Sequence, residues 1–395
     1  DLPKNYQISQ YDRPLAGDGH LTIAVDGCSR RIGIQRIHLE EDAGKLLHEA
    51  SETESFVDFN RAGVPLLEIV SEPDLRTPEE AVQYLTELKA IMQHLDVSTC
   101  NMEEGGLRCD TNISLRPIGE TPLGAKVEIK NLNSFRAVRQ AVEFEIARQA
   151  GRLDRGESVL QETRLWSART QQTESMRSKE EAADYRYFPE PDLVPFAIDS
   201  AMVDRIRREL PELPAQRRAR FKESFHLSAY DAQVLTQHRP LAELFEATVR
   251  LSAKPKPVAN WIMGDLMAAL NARHLEPEAH GIQPAWLAHL VELVAGGTLS
   301  GPMAKDVFGR MLEQREDPLE LVKAAGLRQI SDARTLEQIA EDVIAQHPAS
   351  VQDYAKGKVN ALMFLVGQAM RRSQGKANPQ QMTEILKRKV KESVT

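Results

Sequence analysis

The stretch Val57-Asp58-Phe59-Asn60-Arg61-Ala62-Gly63-Val64-Pro65-Leu66-Leu67-Glu68-Ile69-Val70 decides how the chain is read. Its first half is polar and punctuated: Asp58, Asn60 and Arg61 precede Gly63 and Pro65, residues that turn a backbone. Its second half is an apolar run of strand length, Leu66 to Val70, which reads as a buried strand. Glu68 interrupts that run. A carboxylate there is costly unless it is paired, hydrogen-bonded, set against a cation or turned to water.

Upstream, Leu21 to Val25 alternates, Asp26-Gly27 supplies a hairpin turn, and Arg30 to Leu39 returns as the partner strand. That strand delivers His38, Glu40, Glu41 and Asp42 at its end. Their pattern fits a solvated acidic loop or a metal-ligand cluster, and composition does not choose between them. Downstream, Thr77-Pro78-Glu79-Glu80 is a capping box with proline at the first helical position, and Val82, Leu85, Leu88, Met92 and Leu95 follow at helical spacing.

From Leu107 to Leu115 the chain alternates again. Leu107, Cys109, Thr111, Ile113 and Leu115 fall on one face, and Arg108, Asp110, Asn112 and Ser114 on the other. Gly105-Gly106 just before it permits close approach of backbone to a ligand, which favours the floor of a polar site over a merely solvated face. Lys126-Val127-Glu128-Ile129-Lys130 is a further alternating strand with Lys126, Glu128 and Lys130 on its polar face. It runs into a helix capped at Asn133 or Ser134, with Phe135, Val138, Val142 and Ile146 as its apolar stripe. Asp184-Tyr185-Arg186-Tyr187-Phe188-Pro189-Glu190-Pro191-Asp192 is a dense aromatic and charged segment on an extended path, either lining a site or forming a packed corner.

After about residue 200 strand alternation stops and helical punctuation takes over. Pro284, Asp317-Pro318, Ser350-Val351-Gln352-Asp353 and Asn378-Pro379 read as helix starts, and Lys254-Pro255-Lys256-Pro257 as a loop. The chain thus divides into a mixed region 1–205, a helical region 206–320 and a helical tail 321–395. The tail holds a basic cluster: Lys356, Lys358, Arg371, Arg372, Lys376, Lys387, Arg388, Lys389 and Lys391 against only Glu384 and Glu392, in a chain of net charge −8. That asymmetry is the mark of a local phosphate-binding patch on an acidic body. Cys28, Cys100 and Cys109 are too few and too irregular for a disulfide framework, which fits a reducing, cytoplasmic setting. No run has the length of a membrane span.

The pattern Asp-x-Asn-Arg-x-Gly-x-Pro-Leu-x-Glu-Ile at 58–69 resembles the signature of the B subunit of the glutamyl/aspartyl-tRNA amidotransferase. The stretches Met102–Leu115, Lys126–Phe135, Asp184–Asp192 and Lys356-Gly357-Lys358 through Asn378-Pro379 resemble the same family, so the likeness covers nearly the whole chain. It implies an α+β fold: a mainly antiparallel-sheet, cradle-like catalytic domain, then all-helical domains ending in a tail that binds tRNA. It also implies ATP and Mg²⁺ as cofactors, with Glu40, Glu68 and Asp110 holding the metal. Arg108 and Lys130 are candidates for phosphate contacts in that site, with Lys126 and Arg186 beside them for ATP. The tRNA contacts would come from Lys356, Lys358, Arg371, Arg372, Lys376, Lys387 and Arg388. Partners would be the amidase (glutaminase) subunit of the same complex, its small third subunit, and misacylated Glu-tRNA(Gln) or Asp-tRNA(Asn), with no membrane.

The family carries an earlier segment with a Gly-Leu-Glu-x-His strand and, in some members, paired zinc cysteines. Neither is present here, so the chain reads as N-terminally incomplete and without zinc. There is no Gly-x-x-x-x-Gly-Lys-Ser/Thr loop, no kinase signature and no recognisable amidase nucleophile. Two other classes remain: an ATP-dependent ligase of a small free carboxylic acid, needing the carboxylates but not the basic tail, and a non-catalytic tRNA-binding subunit, needing the tail but not the carboxylates.

Overall fold

Sheet comes first and helix second along this chain, as a computed structural model of it shows for residues 7–8, 12–47, 56–176, 185–186, 194, 197–327, 330, 332–373 and 375–394. The chain separates into two compact units, Asp1–Pro214 and Ala215–Thr395.

The first unit begins with β1 (Gln7–Ile8), β2 (Ala16–Val25), β3 (Cys28–Glu41), β4 (Lys45–Leu47), β5 (Phe56–Asp58) and β6 (Pro65–Ser71). The β2–β3 hairpin turns on Asp26 and Gly27, both at positive φ (52° and 76°), the backbone that a two-residue turn demands. β3 pairs antiparallel with β2 on one side and with β6 on the other, giving the order β2-β3-β6. The apolar run of β6 is therefore an edge strand, not a buried central one, and none of its residues is fully buried. Water reaches one side of it, so Glu68 does not need full compensation.

Helix α1 (Pro78–His94) starts as the capping box dictates: the Thr77 hydroxyl accepts from the Glu80 N–H at 3.1 Å. The Glu80 carboxylate reaches back to the Arg76 N–H at 2.6 Å and also meets Arg30. Next come β7 (Cys109–Ile113), β8 (Val127–Leu132), α2 (Phe135–Asp154), β9 (Glu162–Ser167), β10 (Gln172–Ser175) and β11 (Tyr185–Arg186). The second sheet runs β10-β9-β8-β7, antiparallel except for the parallel pair β8–β9 that α2 connects. Ser134 caps α2, accepting from Ala137 N–H. The stripe α2 buries is Ala137, Val138, Ala141, Val142, Glu145 and Gln149; Phe135 and Ile146 sit at its margin, because small residues let the helix lie close on the sheet. Ile129, Leu132 and Trp166 of the sheet join Ile23, Ile32, Tyr84, Leu85 and Leu88 in one core.

Buried at 0 % exposure, Glu145 meets Arg148 at 2.6 Å and Thr173 at 3.1 Å, with Arg164 at 3.8 Å. Gln149 beside it satisfies the Leu115 N–H and the Ile113 carbonyl. This network ties α2 to both edges of the second sheet.

Helix α3 (Ser200–Glu209), capped by Asp199, closes the first unit, and the second unit is helical throughout its described residues. The segment Lys254-Pro255-Lys256-Pro257 is not a loop: a helix begins at Pro255 and continues through a π-helical turn, Trp261–Leu266, to Ala272. First-turn N–H groups have no intrahelical acceptor, so both prolines are tolerated there. Likewise Ser350 lies inside a helix that starts at Pro348, where proline at the first position outranks the capping-box pattern. The starts at Pro284, Pro318 and Pro379 stand as expected from sequence. Two separate apolar clusters fill this unit, one from Phe221 to Leu321 and one from Leu336 to Val390. In the first, Phe221, Phe225 and Phe245 form an aromatic trio with centroids 4.9–5.5 Å apart.

Candidate active site

The end of β3 and the middle of β6 present ionisable side chains to one face. Glu68 lies directly opposite His38, and Glu40, two residues on from His38, shares that face. His38 is 4 % exposed and Glu40 8 %. Among the described residues no ion pair or side-chain hydrogen bond reaches the Glu40 carboxylate. Glu68 is half-exposed and has Arg36 at 3.8 Å. A buried carboxylate without a described partner is poised for a cation or a donor that is not part of this chain.

The second sheet supplies the complementary half. Asp110 sits at a bulge, where the β7–β8 register slips between Cys109 and Thr111. Opposite, Asn131 takes a left-handed backbone (φ 65°) and its amide donates to the Trp166 carbonyl at 2.9 Å. Lys130 reaches Asp110 at 4.0 Å and Glu128 at 3.9 Å, and Glu128 accepts from the Thr163 hydroxyl at 2.9 Å. Partial burial pushes the Asp110 carboxyl above the ordinary aspartate value; Lys130 and Arg108 pull it down and Glu128 pushes it up. Burial drives the neighbouring Cys109 thiol up to about 12, so that cysteine stays protonated and unreactive. Lys126 lies exposed just before β8. Of the aromatic segment 184–192, only the backbone of Tyr185 and Arg186 is described, as β11 paired in parallel with β1; the rest of that segment, and the Arg186 side chain, lie outside the described residues.

Asp42 plays a part the spacing did not reveal. Rather than standing free as a metal ligand, it is 7 % exposed and held between two arginines: Arg61 Nε donates to Oδ2 at 2.8 Å and Arg108 Nη2 to Oδ1 at 3.0 Å. The turn Phe59–Val64 brings Arg61 there. Its chain folds back through Ala62 N–H to Phe59 O, and the Gly63 N–H and Val64 carbonyl bond the Asp42 backbone, at 2.9 Å each. Gly105, at φ +74°, lies so close to the Arg61 guanidinium that an added Cβ would sit 1.7 Å from Nη1. The left-handed backbone favours glycine there, and any other residue would push the Arg61 guanidinium from its place. Arg61 and Arg108 were visible in sequence, but their common partner lies 19 and 66 residues away, beyond any local pattern.

The structure therefore brings Glu40 and Glu68 to one face of the first sheet and Asp110 with Lys130 and Arg108 to the second. Among the described residues, no three Asp, Glu, His or Cys side chains gather as a metal-holding group. A two-carboxylate seat still suits Mg²⁺, which takes one or two carboxylates and fills its other positions with water and phosphate oxygens.

Comparison with known proteins shows the family. The sequence profile of the GatB/GatE catalytic domain matches residues 1–204, and that of the GatB domain matches 243–390. The B subunits of aspartyl/glutamyl-tRNA(Asn/Gln) amidotransferase are 53 % identical in Carboxydothermus hydrogenoformans, 52 % in Solidesulfovibrio magneticus and 53 % in Moorella thermoacetica. Each match covers 99 % of this chain and 82 % of the relative. The chain belongs to the amidotransferase B-subunit family.

Its enzyme is a carbon–nitrogen ligase that takes the amido group from glutamine, and the family implies use of ATP. The family name denotes one part of an enzyme, which implies other subunits in the same complex. No described helix is long and apolar enough to cross a membrane. In the family's second matched region the basic tail is partly neutralised from within. Arg372 pairs with Asp342 at 2.6 Å, Lys358 with Asp353 at 3.0 Å, Arg388 with Glu337 and Lys389 with Glu341. Lys356, Arg371, Lys376 and Lys387 form no ion pair among the described residues.

Proposed function

We propose that this subunit is the kinase and transamidase part of the amidotransferase. The side-chain carboxylate of Glu-tRNA(Gln) or Asp-tRNA(Asn) attacks the γ-phosphorus of ATP, giving an acyl phosphate and ADP. Ammonia then adds to the acyl carbon, phosphate leaves, and the product is Gln-tRNA(Gln) or Asn-tRNA(Asn). The ammonia comes from a partner amidase (glutaminase) subunit, with a small third subunit completing a cytoplasmic complex. The observation that carries this reading is Glu40: a buried carboxylate without a described partner, on one face with Glu68, beside a second sheet of Asp110, Lys130 and Arg108.

Phosphoryl transfer needs positioning and charge neutralisation more than covalent help. Glu40 and Glu68 are the residues that would hold Mg²⁺, whose bound charge offsets that of the phosphates; Asp110, the third ligand expected from the sequence, lies on the second sheet against Lys130 and does not gather with them among the described residues. Arg108 and Lys130 would meet phosphate oxygens, with Lys126 and Arg186 flanking them. The tail would grip tRNA phosphates through Lys356, Arg371, Lys376 and Lys387, with Lys358, Arg372 and Arg388 contributing once their internal pairs open. We divide the chain by role into 1–205 for catalysis, 206–320 as a helical connector and 321–395 for tRNA.

The test is ATP turnover by the complete complex with Glu-tRNA(Gln), Asp-tRNA(Asn) and the same tRNAs uncharged. Stimulation by a charged tRNA alone supports the reading and identifies the substrate. Stimulation by free glutamate or aspartate would favour the small-acid ligase. Binding of tRNA without stimulated turnover would reduce this chain to a binding role.

A further inference from the structure

We infer that Asp42 is a positioning residue for the phosphoryl-transfer site, acting through Arg108 and, on its other oxygen, Arg61; this rests on the reading just given. Asp42 lies two residues beyond Glu40 on the continuation of β3, and Arg108 two residues before Asp110. Their 3.0 Å contact is a direct polar tie between the carboxylate half of the site and the Asp110–Lys130 half. The carboxylate is almost wholly shielded, at 10 % side-chain exposure, while Arg108 remains 54 % exposed. Oδ1 also accepts from the Ala43 N–H at 3.1 Å, so three donors already hold the carboxylate and fix its orientation.

The charge count gives the clamp its chemistry. Two guanidinium groups share one carboxylate, leaving one positive charge in excess. Arg108 uses a single nitrogen on Asp42 and is otherwise half-exposed, and a guanidinium fork fits two phosphoryl oxygens. Without Asp42, Arg108 would be a mobile surface side chain, and the ordering entropy would fall on the catalytic step. Gly105 serves the same end, since only a residue without Cβ leaves Arg61 its place.

The experiment is a double-mutant cycle in the complete amidotransferase: wild type, Asp42→Asn, Arg108→Gln and both together. The readouts are kcat and KM for charged-tRNA-dependent ATP turnover, with thermal melting alongside. Asp42→Asn is expected to lower kcat about 10- to 100-fold with the KM for charged tRNA unchanged. The double variant is expected to lose no more than Arg108→Gln alone, because both act on one contact. If the two losses multiply, or if Asp42→Asn lowers the melting temperature with kcat per folded enzyme intact, Asp42 is a structural ion pair and the inference falls. Should Asp42→Asn fail to fold, Arg61→Gln removes one arm of the clamp and is put through the same cycle with the same criteria. A wild type without charged-tRNA-stimulated turnover would overturn the parent function. An active wild type with an unaffected Asp42→Asn variant overturns this inference alone.

Discussion

The two units treat charge in opposite ways. In the first, His38, Glu40, Asp42, Glu80, Glu87, His94 and Glu145 are all buried; among the described residues of the second, the one buried acid is Asp231, and no histidine is buried. Asp231 is answered by Lys256 at 2.6 Å and the half-buried Glu246 by Arg217 and Arg220 at 3.2 and 2.8 Å, while the tail's ion pairs, such as Arg372–Asp342, lie at the surface. Burying ionisable groups costs stability, so a fold that does so repeatedly in one region has been shaped there by something other than stability. The helical unit uses its buried volume for apolar packing and leaves its charges available outside. That contrast is what the proposed division, chemistry on the sheets and docking on the helices, would require.

The largest effect expected from this contrast is structural. Glu145→Ala removes the fully buried carboxylate between Arg148 and Arg164, leaving Glu162 as their shared acid at 3.5 and 2.8 Å, and should cost up to about 3–5 kcal/mol in denaturant melts. Asp231→Asn, whose partner Lys256 is 59 % exposed, should cost clearly less; equal costs would erase the distinction between the units.

Next, Glu40→Gln or Glu68→Gln should reduce charged-tRNA-dependent ATP turnover by about 100-fold, of the order of 3 kcal/mol in the barrier. Glu40→Gln should leave the thermal midpoint unchanged or raise it, since a buried charge is removed. Retained turnover would detach the buried carboxylates from function.

A smaller effect is expected in the tail. The joint variant Lys356→Ala, Arg371→Ala, Lys387→Ala should weaken tRNA binding about tenfold and flatten its salt dependence by roughly one unit of slope per lost contact. Arg388→Ala, paired with Glu337, should cost only about 0–1 kcal/mol of stability. Point variants are needed because truncation after residue 355 would remove Leu362, Leu365, Met382 and Leu386, which belong to the core of that cluster.

The smallest effect concerns Asp110. Its carboxyl is raised in the folded state, so the unfolded chain ionises first and the ionised form weighs against folding at neutral pH. Asp110→Asn and wild type should be equally stable below the ordinary value of 3.8. The variant should gain a slight advantage as pH rises through the folded value and hold it above. A wild type that becomes relatively more stable over that range would reverse the assigned sign.

Local signals carried most of the fold. The Asp26-Gly27 turn, the Thr77 and Ser134 caps and the prolines at 284, 318 and 379 each act within a few residues, so the sequence displays them directly. Pro255 misled because proline means a break or a first turn according to neighbours that composition does not show. Of the candidate site, the sequence placed Glu40 at the end of one strand, Glu68 within another, and Asp110 and Lys130 on the polar faces of two more, but not that β3 pairs with β6 across two intervening strands. The Asp42 clamp was not legible, since Arg61 and Arg108 reach it only after two loops are folded. The strand Leu66–Val70 was read as buried for a related reason, because an apolar run does not tell whether its strand has one neighbour or two.

The parallel pairing of β8 and β9 sets a timetable. Strands β2, β3 and β6 are all available once Ser71 has been made, but the second sheet waits for α2 and then β10, which ends at Ser175. At a synthesis rate of roughly 5–20 residues per second that interval lasts about 5–20 seconds. Because Ile23 and Ile32 share one core with Ile129 and Trp166, the apolar face of the first sheet is fully covered only after Trp166 has been made, an order that pulsed labelling on stalled ribosomes would follow.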